Sequence, residues 1–584
     1  MPEISLTCAW NGQIPRSVTP PVSSAEGYCH LFAQARIDNR DELIATLGAV
    51  ADPLSDEQLI LAAYLRWGRD CAQRLIGDFA FVVWDSQART LFAACDPMQM
   101  RTLYFAEIPE GLGVASSVMG LIRETGIVPM LDRIAITSWA AGWPDPNRSM
   151  FANLRMLPAG HWLWADASGV RMQKFWDIDP GRHIRYAAIG DYQDHLATLL
   201  RRCVGDRLRT AAPVITAQLS GGMDSTSVCA MAVAALRGSD QRLVSLSHSY
   251  AATRECDESE RIDETAQFLG IAQRHWLPAE THVDKDFRAL YPPALESPGT
   301  VCSPRYADEL ALVQKIGADV LLTGSGGDEM VWGHSLTYTQ RLRRGDLGVI
   351  AEVIRGSRAI GLPVLATLLQ LFIRPLVPES LKRLRRRALR RPLESGLPAW
   401  IPQTAVRELD LYRVLFPASE VQFDNPALQA RYDALKRTST FNSVRSYERV
   451  ASDFAVDVRH PFFDRRLAEF SFAIPDDLWL RENYPKWLLR RTMDGRLPDS
   501  VVWNRQKVTF NRFFGGVITN QADTIRAILS DTRLQDIGLV DNARLLAAFE
   551  RVVASGGQQL NVDLLYALLT QVWFQQHADQ FSLG

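Results

Sequence analysis

The sequence has little of what marks secreted, metal-bound or membrane-spanning proteins. Its 8 cysteines are scattered, without the closely spaced pairs of a zinc site or a disulfide framework. The N-terminus has no basic start followed by an apolar run, so no signal peptide is expected. The most apolar stretch, residues 359–373, is short for a bilayer span and contains a proline and a glutamine. These absences favour a cytoplasmic protein with reduced, buried cysteines.

The chain also lacks a strong overall charge. Its net charge of −2 gives no general attraction to nucleic acid or membranes. With 584 residues it is too long for one hydrophobic core, so two or three domains are expected. We predict a first domain at 1–185 and a second at 190–584, with a basic helical insert at about 340–440.

A turn of small residues, 220–225 (SGGMDS), lies between a β-prone run at 213–219 and a predicted helix at 226–236. Backbone N–H groups at a helix start are unpaired, and the helix dipole attracts anions there. The two glycines let the backbone approach a phosphate closely. No Walker-type lysine follows the turn. The pattern therefore predicts a phosphate-binding loop in which Asp224 is a Mg²⁺ ligand.

A second glycine-rich turn, residues 323–329 (TGSGGDE), follows a predicted strand at 319–323. From about residue 190 onward, predicted strands and helices alternate, which favours a parallel sheet covered on both faces. Ligands bind such sheets at the carboxyl ends of the strands, where both turns lie. Asp328 is the predicted second Mg²⁺ ligand, opposite Asp224. For each turn the alternative is a plain helix cap.

The pattern of the first 185 residues predicts a different architecture, in which antiparallel sheets are stacked and helices lie outside them. Short β-rich runs separated by turns support it. The strands are predicted at 29–37, 77–85, 90–95 and 102–106, and the helices at 38–47 and 55–67. The fold class is thus α/β plus α+β.

These motifs resemble the asparagine synthetase and β-lactam synthetase superfamily, whose members release AMP and pyrophosphate. The matching segments are 77–81 (GDFAF), 220–225, 459–464 (RHPFFD), 486–490 (KWLLR) and 503–507 (WNRQK). The resemblance implies an N-terminal domain of the class II amidotransferase type and a C-terminal nucleotide-hydrolase-like sheet. It also implies ATP and Mg²⁺ as cofactors.

Carried over residue by residue, the resemblance assigns most of the site. The nucleotide-binding residues are Leu219, Ser220, Gly221, Gly222, Asp224, Ser225, Ser247, Thr323, Gly324 and Lys486. Lys507 matches the lysine that reaches the transferred phosphates, where positive charge lowers the barrier to adenylation. Glu448 could take a proton from an attacking amine, with an exposed helical glutamate as the alternative.

The chain departs from its better-known relatives at two places. Family members hydrolyse glutamine with an N-terminal cysteine, exposed after removal of the initiator Met. Here Pro2 follows Met1 and the first cysteine is Cys8, so we predict a degenerate domain that serves as a scaffold. Asn11-Gly12 is interpreted as a turn, and His161 as structural. Ser325 stands where asparagine synthetases carry Glu and β-lactam synthetases carry Tyr.

If the N-terminal domain supplies no ammonia, the amine that attacks the activated carboxylate must belong to the substrate or be free in solution. Intramolecular attack suits this, because one site holds both reacting groups. Within the family this resembles lasso peptide cyclases, which adenylate a side-chain carboxylate of a precursor peptide and close a macrolactam with its N-terminal amine. The alternatives are a β-lactam-synthetase-like or asparagine-synthetase-like enzyme acting on a small amino acid, and a non-catalytic subunit binding nucleotide and peptide.

The expected partner is therefore a precursor peptide, and nucleic acid is not expected. Whether a leader-binding protein and a leader peptidase act with the chain stays open. The basic run 382–391 (KRLRRRALRR) has three interpretations. It is a solvated helix face, a docking site for a peptide or protein, or a contact with anionic lipid beside the apolar stretch 359–373.

Overall fold

The structure is a computed structural model. It describes residues 3–15, 17, 19–48, 54–283, 285–290, 294–300, 303–359, 361–376, 396–437, 439–505, 508 and 510–583.

Two antiparallel sheets form the N-terminal part. Their strands are β1 (Ser5–Ala9), β2 (Val22–Ser23), β3 (Cys29–Ile37), β4 (Gly77–Asp85), β5 (Thr90–Cys95), β6 (Tyr104–Ile108), β7 (Gly111–Ala115), β8 (Arg155–Met156), β9 (His161–Asp166) and β10 (Gly169–Lys174). One sheet has the order β1-β7-β6-β8 and the other β10-β9-β5-β4-β3-β2. Leu6 and Phe105 of the first sheet share a core with Trp84 of the second, so the sheets are stacked as predicted.

Four helices accompany these sheets, at Arg40–Leu47, Asp56–Trp67, Val118–Thr125 and Arg133–Ala140. Asp56–Trp67 begins at a capping box, in which the Ser55 hydroxyl and the Gln58 side chain each bind the other's backbone N–H.

A five-stranded parallel sheet forms the centre of the C-terminal part. Its strands are β11 (Val214–Gln218), β12 (Arg242–Ser249), β13 (Gln273–Pro278), β14 (Val320–Leu322) and β15 (Asp457–Arg459). The order is β13-β12-β11-β14-β15, and every pairing is parallel. The chain first builds outward from β11 on one side and then continues on the other side with β14. Such a switch point opens a crevice at the carboxyl ends of the two strands.

Helices cover this sheet and extend beyond it. They are Ile189–Asp206, Met223–Ala235, Ser259–Leu269, Phe287–Leu290, Ser303–Ile316, Gly327–Val331, Leu336–Arg343, Gly348–Ala359, Val364–Leu368, Gln403–Glu408, Leu411–Leu415, Pro426–Lys436, Thr440–Ser452, Arg465–Ala473, Trp487–Met493, Asp499–Val502, Asn511–Asn520, Ala522–Leu529, Arg533–Asp536, Asn542–Ala554 and Val562–His577. A short hairpin pairs β16 (Leu480–Arg481) with β17 (Tyr484–Pro485). In the described ranges, none of the helices combines the length and hydropathy needed to cross a bilayer.

The two parts share a hydrophobic core. Helix Arg133–Ala140 packs on the C-terminal helix Val562–His577, and the Trp139 and Tyr566 rings meet edge to face at 5.7 Å. The predicted fold class, antiparallel sheets followed by a helix-covered parallel sheet, is confirmed. The predicted insert is helical where it is described, and the basic run 382–391 lies outside the described residues.

Candidate active site

The two glycine-rich loops meet at the switch point, because one follows β11 and the other follows the neighbouring strand β14. A side chain at Gly324 would place its Cβ 2.6 Å from the Ser225 backbone nitrogen. A Cβ at Gly327 would lie 2.2 Å from the Asp224 carboxyl carbon. The close approach of the loops therefore requires glycine at both positions.

The first loop is held in shape by its own serines. The Ser220 backbone N–H donates to Ser225 Oγ at 3.0 Å, and the Gly222 N–H donates to Ser220 Oγ at 3.2 Å. Ser247 Oγ donates to the Leu219 carbonyl at 2.7 Å, which ties the loop to β12. Helix Met223–Ala235 then begins at Gly222 without a side-chain cap. Its first amides face the crevice end of the sheet, where an anion binds favourably.

The second loop is fixed by a buried histidine. Thr323 Oγ1 accepts the Ser325 N–H at 3.2 Å and lies 2.6 Å from His460 Nδ1. Burial lowers the pKa of His460 to about 3. The ring is therefore neutral, and its Nδ1 shares a hydrogen bond with the threonine hydroxyl. Sequence reasoning gave the 459–464 segment an architectural role, and the structure shows that His460 positions this loop.

Lys486 lies between the carboxylates of the two loops. Its Nζ is 2.5 Å from Asp224 Oδ2 and 2.6 Å from Asp328 Oδ1, and the residue is 5 % exposed. Burial alone would lower the pKa of Lys486, but Asp224 and then Asp328 raise it above its usual value. The ammonium also lies 5.3 Å from the Trp332 ring centre. The structure thus places these three charged residues, each assigned to the site from the sequence, in contact with one another.

The donor set fits a magnesium-bound nucleotide. The carboxylates of Asp224 and Asp328 both contact the Lys486 ammonium, so they lie close to each other. Carboxylate oxygens are the ligands that Mg²⁺ prefers. Mg²⁺ usually completes its shell with water and substrate phosphates. The amides at the start of helix Met223–Ala235 would hold those phosphates, and Lys486 supplies positive charge beside them.

Sequence reasoning missed Glu258 and Arg261 beside the first loop. Glu258 Oε2 accepts the Gly221 N–H at 3.2 Å, and its Oε1 accepts from Arg261 Nη2 at 3.0 Å. The acidic stretch before helix Ser259–Leu269 was interpreted only as favourable to the helix dipole. Its place, after the carboxyl end of β12, was the signal that could have revealed the contact.

Glu448 lies elsewhere, which corrects the role considered for it. Its carboxylate pairs with Arg101 of the N-terminal part, and Arg101 also donates to Asp457 Oδ1 at 2.6 Å. Asp457 begins β15, so this cluster lies at the amino edge of the sheet, opposite the loops. Burial raises the pKa of Glu448 to about 7. Because helix Thr440–Ser452 runs away from the loops, we assign Glu448 no proton transfer at this site.

The two remaining assigned residues are Ser325 and Lys507. Ser325 is half-buried in the second loop, with its backbone N–H held by Thr323. Lys507 lies outside the described residues, so its assignment stays a prediction from the resemblance. The structure brings together Leu219, Ser220, Gly221, Gly222, Asp224, Ser225, Ser247, Thr323, Gly324, Ser325, Asp328 and Lys486.

Cys8 is buried in strand β1, opposite Leu112 of β7. Burial raises the pKa of its thiol far above the usual range, so no thiolate forms there at neutral pH. Cys8 therefore lacks both the exposure and the acidity of a nucleophile.

The Asn11-Gly12 turn is confirmed by the Gly12 φ of +82° and by the Gln13 N–H bond to Asn11 Oδ1.

A cavity of about 390 Å³ separates the N-terminal sheets from the helices at 411–441. Its walls combine aromatic and proline side chains with polar and charged ones; the former include Trp143, Pro158, Trp176, Pro417, Tyr432 and Phe441. The Phe441 ring lies 5.2 Å from that of Phe463, and a Cβ at Gly326 would lie 3.0 Å from Phe463. Thr440 donates to Glu329, next to Asp328. The inner wall of the cavity thus contacts the second loop.

Comparisons with known proteins identify the family of the chain. The Asparagine synthase family model matches residues 195–575, and the Glutamine amidotransferase domain model matches residues 17–176. Asparagine synthetase [glutamine-hydrolyzing] 3 of Bacillus subtilis is 23 % identical over 92 % of this chain and 85 % of its own length. Amidase chyE of Penicillium rubens is 28 % identical over 56 % of this chain and 48 % of its own length.

Among solved structures, a glutamine phosphoribosylpyrophosphate amidotransferase from B. subtilis covers 53 % of this chain and 73 % of its own. It is 16 % identical, and its TM-score of 0.22 is too low to support an argument.

The family model spans both loops and Lys486, which the structure brings together at the switch point. The chain belongs to the asparagine synthase family and is therefore an ATP-dependent ligase that forms carbon–nitrogen bonds and releases AMP.

Proposed function

We propose that this protein is a peptide macrolactam synthetase of the lasso type. It activates a side-chain carboxylate of a linear precursor peptide as an acyl-adenylate. The carboxylate oxygen attacks the α-phosphorus of ATP, and pyrophosphate leaves. The N-terminal amine of the same peptide then attacks the acyl carbon and loses a proton, the bond to AMP breaks, and the ring closes.

One contrast carries this proposal. The adenylation loops are complete, with Asp224, Asp328 and Lys486 in contact, whereas Cys8 is buried in a strand. An adenylating enzyme whose N-terminal domain lacks a usable cysteine takes its amine from its substrate or from free solution. An amine on the activated molecule reacts most favourably, because the site holds both groups at a high effective concentration.

The cavity beside the second loop supports a peptide rather than a small amino acid. At about 390 Å³ it falls in the range of ligand pockets and exceeds what one small side chain would fill. Both of its lysines are already engaged: Lys174 pairs with Asp177 and Glu420, and Lys436 pairs with Asp177. The aromatic and proline walls therefore suit apolar side chains of a peptide whose reactive carboxylate reaches the loops.

The experiment uses the whole protein, Mg²⁺-ATP and the linear peptide encoded beside its gene. We expect the peptide to lose the mass of one water, with one AMP formed per ring. Turnover with a β-amino acid but not with the peptide would favour the β-lactam-synthetase-like alternative. Asparagine formed from aspartate and ammonia would favour the asparagine-synthetase-like one. No release of pyrophosphate with any of these substrates would favour the non-catalytic subunit.

The cavity offers a matched test of peptide binding. Ala418 lines it, and Ala418→Trp would fill part of its volume. We expect the variant to raise KM for the peptide about tenfold or more, in line with the loss of a buried apolar contact, while KM for ATP stays unchanged. Ala366→Trp, at an exposed position of helix Val364–Leu368, is the control.

A further inference from the structure

The helical segment 364–376 is mostly apolar, with Thr367, Gln370 and Arg374 as its polar residues, which is unusual for a surface helix. It runs through Val364–Leu368, Leu369–Ile373 and Arg374–Leu376 without a break. One side packs on a small core, in which Phe372 contacts the cluster of Tyr338, Val349 and Val353. Thr339 Oγ1 donates to the carbonyl of Leu371, in the same segment. The segment is therefore fixed to the protein by one side only.

The other side is open to solvent. Leu365, Leu369 and Ile373 follow one another at spacings of four residues on the helix, and Leu362 lies just before it; we call these four residues the apolar face. All four are exposed, and Leu365 is 71 % exposed. Single exposed leucines are common, but a row of large aliphatic side chains on one helix face marks an interaction surface.

Arginines border the apolar face at both ends. Arg358 ends the preceding helix and Arg374 follows Ile373, and both are exposed. Neither forms an ion pair with any residue of the described ranges. The nearby acidic residues Asp346 and Glu352 both pair with Arg341 instead.

The surrounding sequence is strongly basic, although the whole chain has a net charge of −2. Residues 336–396 contain 13 Lys and Arg against 4 Asp and Glu. Within the described helices of this stretch, Arg343, Arg344 and Arg355 are exposed as well. Among the described residues, exposed arginines therefore accompany the helical segment that presents this apolar face to solvent.

We propose that the apolar face and its bordering arginines dock on the surface of an anionic lipid bilayer. A helix with this composition lies in the interface, with its aliphatic side chains among the acyl chains and its arginines at the phosphate level. The described helices are too short or too polar to cross the bilayer, so the contact is peripheral. The proposal depends on this surface alone and not on the proposed substrate.

Vesicle sedimentation tests the proposal with the whole protein. We expect binding to phosphatidylcholine vesicles that contain phosphatidylglycerol, and at least about tenfold weaker binding to phosphatidylcholine alone, because each interfacial arginine adds electrostatic attraction. High salt should weaken the binding. Leu365→Asp with Leu369→Asp should abolish it, and Arg358→Gln with Arg374→Gln should remove the preference for anionic lipid. Val128→Asp, at an exposed site of the N-terminal part, is the control.

A fluorescent probe separates lipid from protein as the occupant. An environment-sensitive dye on Leu365→Cys should report water in the free protein and an apolar medium after addition of anionic vesicles. A dye that is already shielded without lipid would mean that protein covers the face, and it would overturn the proposal. Equal binding to neutral and anionic vesicles, no binding to either, or unchanged binding of the double aspartate variant would also overturn it.

Discussion

At the scale of single residues, Lys486 decides the electrostatics of the site. It neutralises Asp224 and Asp328, which would otherwise repel each other at the meeting point of the loops. Because the lysine is buried with both carboxylates, it contributes to the shape of the site as well as to its charge.

Replacing this lysine tests that dual role. We expect Lys486→Met to lower the rate of pyrophosphate release about 100-fold or more, as removal of one preorganised charge does in other active sites. Lys315→Met, at an exposed position of helix Ser303–Ile316, is the matched control and should keep the native rate. A native rate in Lys486→Met would show that the lysine has no part in adenylation.

His460 gives the stability of the protein a pH dependence. Its pKa of about 3 lies below the value of about 6.5 in the unfolded chain. The unfolded state therefore takes up a proton first as pH falls, so the stability due to the neutral ring is complete above pH about 6.5 and decreases below it. We expect His460→Gln to remove up to about 1.4 kcal/mol per pH unit from the acid-side slope.

Denaturant unfolding of the two proteins at a series of pH values measures this difference. Equal slopes between about pH 6.5 and pH 3 would contradict a buried, neutral His460. The variant should also loosen the second loop, because Thr323 loses its partner. A raised KM for ATP with an unchanged KM for the peptide would report that change.

Whether the position of a residue in the site could be predicted depended on the kind of segment in which it lies. Asp224 and Asp328 lie within loops of recognisable sequence, so their convergence followed from two strand ends on one sheet. Glu448 lies on a helix that packs along the sheet. Side chains one or two turns apart on such a helix can lie at opposite ends of the strands. Its pairing with Arg101, far away in the sequence, left no local signal.

At the scale of elements, the strands were the most predictable features. β3, β4 and β5 begin and end at the predicted residues, since each is a clear β-prone run bounded by turn residues. β15 was missed as a strand because it has only three residues, too few for a periodic pattern. It nevertheless completes the sheet and carries His460 to the second loop.

The contact between the loops gives a prediction at this scale. A methyl group at Gly327 would collide with the Asp224 carboxyl group, so Gly327→Ala should displace this predicted metal ligand. We expect weaker Mg²⁺-ATP binding and a rate of pyrophosphate release lowered about tenfold or more, as expected for a small displacement within a catalytic site.

Gly190→Ala provides the control for this substitution. Gly190 lies in helix Ile189–Asp206 with open space around its Cβ position. Alanine there should leave activity unchanged and stabilise the protein by about 0.5–1 kcal/mol through its higher helix propensity. Equal activities of the two alanine variants, measured by pyrophosphate release, would show that the loops do not need their close approach.

At the scale of the whole molecule, buried charges join the two parts of the chain. Arg207, from the C-terminal part, pairs with Asp464 at 2.8 Å and contacts Asp38 and Asp78 of the N-terminal part at 3.3 Å each. Although burial would raise the pKa of Asp464, Arg207 and Arg466 hold it well below its usual range. Such long-range partners could not be predicted from sequence, because they depend on how the two parts dock.

Removal of the central arginine would leave carboxylates buried without their partner. We expect Arg207→Ala to lower the free energy of unfolding by about 3–5 kcal/mol, measured by denaturant unfolding. Arg209→Ala removes a more exposed pair with Asp56 and should cost less than about 1 kcal/mol. Equal losses in the two variants would contradict the central role of Arg207.

The central claim is that the chain adenylates a peptide carboxylate, and an isotope label tests it most directly. A linear precursor peptide with heavy oxygen in its acceptor carboxylate is converted with Mg²⁺-ATP, and the AMP is analysed by mass spectrometry. We predict one heavy oxygen in AMP for each ring closed, because that oxygen leaves the acyl carbon with the phosphate. Unlabelled AMP, or label recovered in inorganic phosphate with ADP as the product, would contradict the claim.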